Sequence, residues 1–306
     1  MPRILACCCA LSLLSPALRA QPGPSADARI VVTMGHYYGQ SVPQLTAGDL
    51  TITEQFEPLP IKAVIPFKGD RAGLELFILV DNCANCEGGP NSGELAAFVK
   101  SQPASTSIGV AYIQDGALKI AQEPVADRAR ALNALSPPAG GKPSNPFSAL
   151  RALIEGWKSE APRRAVLMIT NGVDPAQEQY GQNGPAEQAI ASAQKNQVTV
   201  FTIYHPSADY LNSDFEKIYS GQVQIAHVAR ESGGEGYFIS FGPLPSLGPF
   251  LLDIAEHLAN QYLVEFAAPA SRGAGELRDI EVKSNKKDID VMAPDRAWIP
   301  GSAGSR

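Results

Sequence analysis

Apolar and polar positions follow two rhythms along this chain, and the change falls near residue 73. Before it, residues 29–33, 49–54 and 60–67 read as strands. The stretch 49–54 alternates polar and apolar, as a half-exposed strand does, and no helical periodicity occurs in this part. From Leu74 onward short apolar runs recur at 74–80, 107–113, 164–170, 198–204 and 236–240. Runs of this length, bounded by turns, read as strands buried on both faces. Between them the spacing predicts helices over 93–101, 126–135, 145–157, 187–195, 223–231 and 247–260. Asn145 stands at the cap position of the third helix with Pro146 at its first turn, and Gly233-Gly234 ends the fifth. Residues 118–122 form a hairpin partner for 107–113 across Asp115-Gly116. After Gln261 the two-residue rhythm returns, at 262–266 and at 277–283 and 288–292 around the turn 285–287. Strands alternating with helices imply an α/β domain built on a mostly parallel sheet covered on both faces. The flanks are expected to pair into one small β-rich module.

The run 74–80 ends abruptly at Asp81, and ligands of open α/β sheets bind just beyond the carboxyl ends of strands. The loop that follows carries Cys83 and Cys86, the two cysteines outside the first ten residues. A candidate site and a candidate disulfide therefore share one loop.

The first 20 residues read as a secretory signal peptide: Arg3, an apolar stretch over 4–14, and a small residue, Ala20, before the expected cleavage at Gln21. Cleavage removes Cys7, Cys8 and Cys9 and leaves the pair Cys83/Cys86, which in an exported chain reads as a structural disulfide. The alternative is a thiol–disulfide redox centre, but Gly88-Gly89-Pro90 interrupts the helix whose N-terminus would stabilise a thiolate. Loss of Arg3 and Arg19 takes the formal net charge from −6 to −8, which disfavours nucleic acid and anionic membranes as partners. No later stretch is apolar enough to span a bilayer. The expected organisation is a signal peptide over 1–20, a β-rich flank over 21–72, an α/β domain over 73–260, a second β-rich flank over 261–300 and a disordered tail over 301–306.

Several stretches, in order, resemble von Willebrand factor type A domains, and more specifically the exported VWFA-related proteins typical of acidobacteria. They are 45–54 (LTAGDLTITE), 107–122 (SIGVAYIQDGALKIAQ), 163–174 (RRAVLMITNGVD), 228–238 (VARESGGEGYF) and 261–266 (QYLVEF). The resemblance implies a doubly wound, Rossmann-like domain that binds protein partners, usually through a divalent cation held by an Asp-x-Ser-x-Ser loop, a Thr and an Asp. Here the metal-ion-dependent adhesion site is degenerate. Asp81 is kept, Cys83 and Asn85 replace the serines, Ser144 stands for the Thr, and Asn171 replaces the Asp. Mg²⁺ and Ca²⁺ prefer carboxylates, and a sulfur ligand serves them poorly. The set Asp81, Asn85, Ser144 and Asn171 is thus expected to hold Mg²⁺ or Ca²⁺ weakly or not at all. Asp81 and Asn171 are expected instead to hydrogen-bond loop backbone and each other.

His36, His205, His227 and His257 show no metal-ligand spacing, and His227 and His257 read as surface or packing residues of helices. No nucleophile elbow and no phosphate-binding glycine loop occurs. The expectation is an exported, periplasmic or extracellular interaction module. It has no enzymatic activity, no resident cofactor and an unidentified protein partner that meets the loops around Asp81, Ser144 and Asn171.

Overall fold

A computed structural model describes residues 25–35, 43–81, 92–136, 145–159, 161–174, 184–206, 215–238, 246–286 and 289–301. The first flank gives strands β1 (Ser25–Met34), β2 (Leu50–Glu54), β3 (Glu57–Leu59) and β4 (Ile61–Pro66). The middle gives β5 (Leu74–Asp81), α1 (Ser92–Ser101), β6 (Thr106–Gln114), β7 (Ala117–Val125), α2 (Arg128–Asn133), α3 (Pro146–Gly156) and β8 (Arg164–Thr170). It continues with α4 (Pro185–Asn196), β9 (Val198–Tyr204), α5 (Phe215–Glu231), β10 (Gly236–Tyr237) and α6 (Gly248–Ala259). The second flank gives β11 (Gln261–Pro269), β12 (Gly275–Asp279), β13 (Glu281–Ser284), β14 (Val291–Met292) and β15 (Arg296–Pro300).

The central sheet has the order β10-β9-β8-β5-β6-β7. Every neighbouring pair is parallel except β6 and β7, which form the expected antiparallel hairpin. Asp115 and Gly116 turn that hairpin with φ of 55° and 75°, the two positive values a type I′ turn requires. Successive β5 side chains face opposite layers. Leu76, Ile78 and Val80 join a core with Leu95 and Phe98 of α1 and Ile254 of α6. Phe77 and Leu79 join Leu150 of α3, Ile190 of α4 and Ile225 of α5. This explains the unbroken apolar run, since a strand covered on both faces has no solvent side. Phe77 meets Trp157 edge to face at 4.8 Å, and the Trp157 indole N–H donates to Glu75 at 2.7 Å.

The structure changes three helix readings. Asn145 precedes α3 but its side chain does not cap it; its Nδ2 donates to the Gly116 carbonyl at 3.3 Å and ties α3 to the hairpin turn. α2 is shorter than expected, capped by Asp127 through the N–H groups of Ala129 and Arg130. α5 starts at Phe215 rather than Val223. Its first turns place Phe215, Tyr219 and Val223 on the exposed side, so the apolar contrast that marks an amphipathic helix is missing there. Gly233, at φ 83°, closes α5 as expected, with the Gly234 N–H bonded to the Ala229 carbonyl.

The flanks do pair. β11 lies between β1 and β4, and β14 lies on the far side of β1. Two smaller sheets, β13-β2-β3 and β12-β15, complete a separate apolar core around Ile30, Val32, Ile52, Val264, Phe266 and Ile299. The expected hairpin between 277–283 and 288–292 is overturned. The first stretch breaks at Ile280, whose N–H bonds to the Asp295 carbonyl, so that β12 pairs with β15 and β13 with β2. Asn285 reaches the first flank instead, through the carbonyls of Asp49 and Gly48. The strand β15 had no counterpart in the sequence reading. The expected signal segment and the tail beyond Gly301 lie outside the described residues.

Gln194 of α4, Glu231 of α5 and Asp295 meet where the module packs on the α/β domain. Gln194 Nε2 donates to the Glu231 carbonyl at 2.7 Å and to Asp295 Oδ1. Burial and the neighbouring Glu231 carboxyl push Asp295 up to about 7, while Glu231 stays below its usual range. A carboxyl held protonated in the fold but not in the unfolded chain contributes stability that is complete below the unfolded pKa of about 4 and is lost as pH rises through about 7. Glu231, shifted the other way, loses its contribution only as pH falls below its ordinary range. Asp295 is half exposed, so we expect a decline of roughly 1–2 kcal/mol between pH 4 and 7.5, discounted for solvent screening. Urea unfolding across this range is expected to show the decline in wild type and its absence in Asp295→Asn. Equal slopes in both proteins would contradict the raised pKa of Asp295.

Candidate functional site

The chain runs from β5 to β6 on one side of the sheet and from β8 to β9 on the other. β5 and β8 are adjacent, in register from Glu75↔Arg164 to Val80↔Ile169. Strand order reverses between them, and the crevice beyond their carboxyl ends is where ligands of such sheets bind. Asp81 ends β5 and Thr170 ends β8, so the register places the two side by side. The Thr170 hydroxyl donates to Asp81 Oδ2 at 2.7 Å. Thr170 Oγ1 in turn accepts the Gly172 N–H at 3.1 Å, and Asn171 Oδ1 accepts the Val173 N–H at 2.9 Å. Asp81, Thr170, Asn171 and Asp174 are all buried.

The loop after β8 is fixed by contact with α5. Gly172 has φ 70°, and a Cβ there would lie 2.3 Å from the Gly221 carbonyl oxygen. A Cβ on Gly221 would lie 2.2 Å from the Asn171 carbonyl oxygen. Two glycines therefore let a helix backbone touch the site loop directly. Just beyond β9, the His205 N–H bonds to the Thr170 carbonyl at 2.8 Å, and burial lowers the imidazole's pKa. On the other side of the sheet Glu94 of α1 accepts from the N–H groups of Leu247 and Gly248 and from the Ser246 hydroxyl, which is the main cause of its lowered pKa. That carboxylate fixes the start of α6.

Of the residues singled out in the sequence, the structure brings Asp81 and Asn171 to one crevice. Asn85, Ser144, Cys83 and Cys86 lie outside the described residues. The expectation that Asp81 and Asn171 bond to each other is corrected. Asn171 serves its own loop, as an amide does when it forms a local turn with the backbone two residues on, and the Thr170 hydroxyl donates to Asp81. Of the expected ligand set, Asp81 is the one member that carries a charge, and the Asn171 oxygen has one of its two lone pairs engaged by backbone. In the sequence Thr170 is the last residue of a strand, directly before Asn171; its place beside Asp81 comes from strand register.

A second polar cluster lies at the sheet edge. Glu235 precedes β10, Tyr237 belongs to it, and Asp253 and His257 lie one turn apart on α6. The Tyr237 hydroxyl donates to Asp253 Oδ2 at 2.7 Å and lies 3.1 Å from His257 Nδ1. His257 is buried as expected of a packing residue and stacks on Phe201, but it also faces two carboxylates. The four-residue spacing of Asp253 and His257 was its trace in the sequence. His227 pairs with Glu187 at 2.7 Å.

No family model matches the sequence, and no curated protein matches it either. Among solved structures, the chain is similar to proximal thread matrix protein 1 from the mussel byssus, determined with a zinc-occupied MIDAS motif. Identity is 13%, the TM-score is 0.48, and the match covers 72% of this chain and 50% of that one. It is similar to a von Willebrand factor type A protein from Catenulispora acidiphila, with 12% identity, a TM-score of 0.44 and coverage of 94% and 76%. The vWF domain of the type V pili tip protein Mfa5 from Porphyromonas gingivalis gives 10% identity, a TM-score of 0.45 and coverage of 64% and 95%. This chain thus spans half the length of the mussel protein. These likenesses concern the arrangement of the chain and assign no role to any residue.

Proposed function

We propose that this chain is an exported protein-interaction module of the von Willebrand A type, without enzymatic activity, whose partner surface is the crevice at the carboxyl ends of β5 and β8. The observation that supports this reading is the convergence of Asp81, Thr170 and Asn171 at the point where strand order reverses. The ordered stretches that resemble the family support the interaction role, and the signal-like first 20 residues support export. Among the described residues no helix is long and apolar enough to cross a membrane. In this reading divalent-cation binding is weak or lost, because Asn171 stands where a carboxylate is wanted and supplies no charge. The partner then docks through loop backbone and polar side chains rather than through a bridging ion. The thiol–disulfide alternative has no support among the described residues.

The test is photo-crosslinking in the mature chain from a benzophenone side chain at Val173, next to Asn171, against one at Leu252 on the exposed side of α6. Adducts are expected from position 173 and not from position 252.

A further inference from the structure

We propose that Glu235, Asp253 and His257, braced by the hydroxyl of Tyr237, form a binding site for a divalent transition metal of the Zn²⁺ class, apart from the crevice at β5 and β8. Ligand atoms of the first three residues lie within 4.8 Å of one another. His257 Nδ1 is 3.6 Å from Asp253 Oδ2 and 3.8 Å from Glu235 Oε2. Around a tetrahedral zinc with bonds of about 2.0–2.1 Å, neighbouring ligand atoms sit roughly 3.4 Å apart. The two separations from the imidazole are thus a few tenths of an ångström longer than those of a filled site, and the set, which spans up to 4.8 Å, would draw together around the ion. The Tyr237 hydroxyl, 2.7 Å from the Asp253 carboxylate and 3.1 Å from the imidazole, holds both ligands in place, and a water completes the four positions.

Donor chemistry selects the ion. One imidazole and two carboxylates suit zinc and its neighbours, whereas magnesium and calcium take oxygen alone. Charge points the same way. Glu235 and Asp253 make no ion pair with Lys or Arg among the described residues, and both face the His257 imidazole. Asp290 adds a third carboxylate on the same groove wall as Glu235. A divalent cation would relieve the repulsion among these carboxylates. The supports of the site are rigid. His257 is buried and stacked on Phe201 at 6.1 Å, Tyr237 packs on Phe250, and Asp253 and His257 sit one helical turn apart. A groove of about 710 Å³ between α5 and β10 has Glu235, Phe238 and Asp290 in its wall, so one of the three ligands is reached from it.

The experiment is a Zn²⁺ titration of untagged, metal-free mature protein against a chromophoric chelator, with Co²⁺ absorption as a second readout of coordination. One zinc per chain is expected, with a Kd in the micromolar range or tighter, and a Co²⁺ spectrum of the tetrahedral kind. Asp253→Asn and Glu235→Gln change partly exposed side chains, so their folding is checked by circular dichroism and their affinity is expected to fall at least tenfold. The double variant Cys83→Ser/Cys86→Ser is expected to bind as wild type does. Binding no tighter than millimolar, binding unaltered in Asp253→Asn and Glu235→Gln, or binding lost with the cysteines would each overturn the site.

Discussion

Gly172→Ala is expected to destabilise the protein by about 3 kcal/mol. Two causes act together. The left-handed φ of 70° costs a residue with a Cβ about 1–2 kcal/mol, and that Cβ would lie 2.3 Å from the Gly221 carbonyl oxygen. A backbone atom cannot step aside as a flexible side chain would, and overpacking of this kind costs roughly 1–3 kcal/mol. The same contact fixes the sign for its partner. Gly221 lies within α5, where Ala is preferred over Gly by about 1 kcal/mol. Gly221→Ala is nonetheless expected to destabilise, because its Cβ would lie 2.2 Å from the Asn171 carbonyl oxygen. Urea midpoints of the two variants check this. A stabilised Gly221→Ala, or a Gly172→Ala within about 0.5 kcal/mol of wild type, would mean that the loop after β8 is not seated on α5.

Arg163→Met is expected to cost about 3–5 kcal/mol, since it strips several buried acceptors of a charged donor at once. The guanidinium lies at the two crossings between the α/β domain and the β-rich module. It donates to the carbonyl of Leu258 at the end of α6, to Gln261 Oε1 at the start of β11 and to the Ala72 carbonyl before β5, and it lies over the Phe67 ring. Burial lowers its pKa to about 10, so it remains charged at neutral pH. Met restores the volume of the stem but leaves the oxygens without their donor. Arg163→Lys is expected to recover only part of the loss, because an ammonium cannot span the separated acceptors as a planar fork does. A shallow, two-step unfolding curve for Arg163→Met would show the module separating from the domain first. A loss under about 1 kcal/mol would contradict the role of Arg163 as the tie between them.

The α/β core was legible because its strands are covered on both faces. The runs at 74–80, 164–170 and 198–204 are mostly apolar, interrupted only by Glu75, by Arg164 and Thr170 at the two ends, and by Thr199 and Thr202, and each is a central strand of the sheet. The module was legible only in part. Alternation at 277–292 marks strands but not their partners, and pairing is decided by Ile280 and Asn285, which reach residues far along the chain. The first turns of α5 were missed because Phe215, Tyr219 and Val223 lie on its solvent side. At the crevice, Asp81 was found by its place at the end of an apolar run. Its hydrogen bond from Thr170 follows from strand register, which a single sequence does not carry. The cluster at the sheet edge was overlooked for a related reason. Glu235 and Asp253 are 18 positions apart in the sequence, and only the packing of α6 against β10 brings His257 to both.

The measurement that tests the central claim most directly is the yield of partner adducts from benzophenone at Val173 and at Leu252, each in Mg²⁺ and in EDTA. We predict a discrete adduct from position 173 in both conditions and none from position 252. An adduct from position 252 alone would move the partner surface away from the carboxyl ends of β5 and β8. An adduct from position 173 that appears in Mg²⁺ and vanishes in EDTA would restore the bridging cation that Asn171 is taken to have removed.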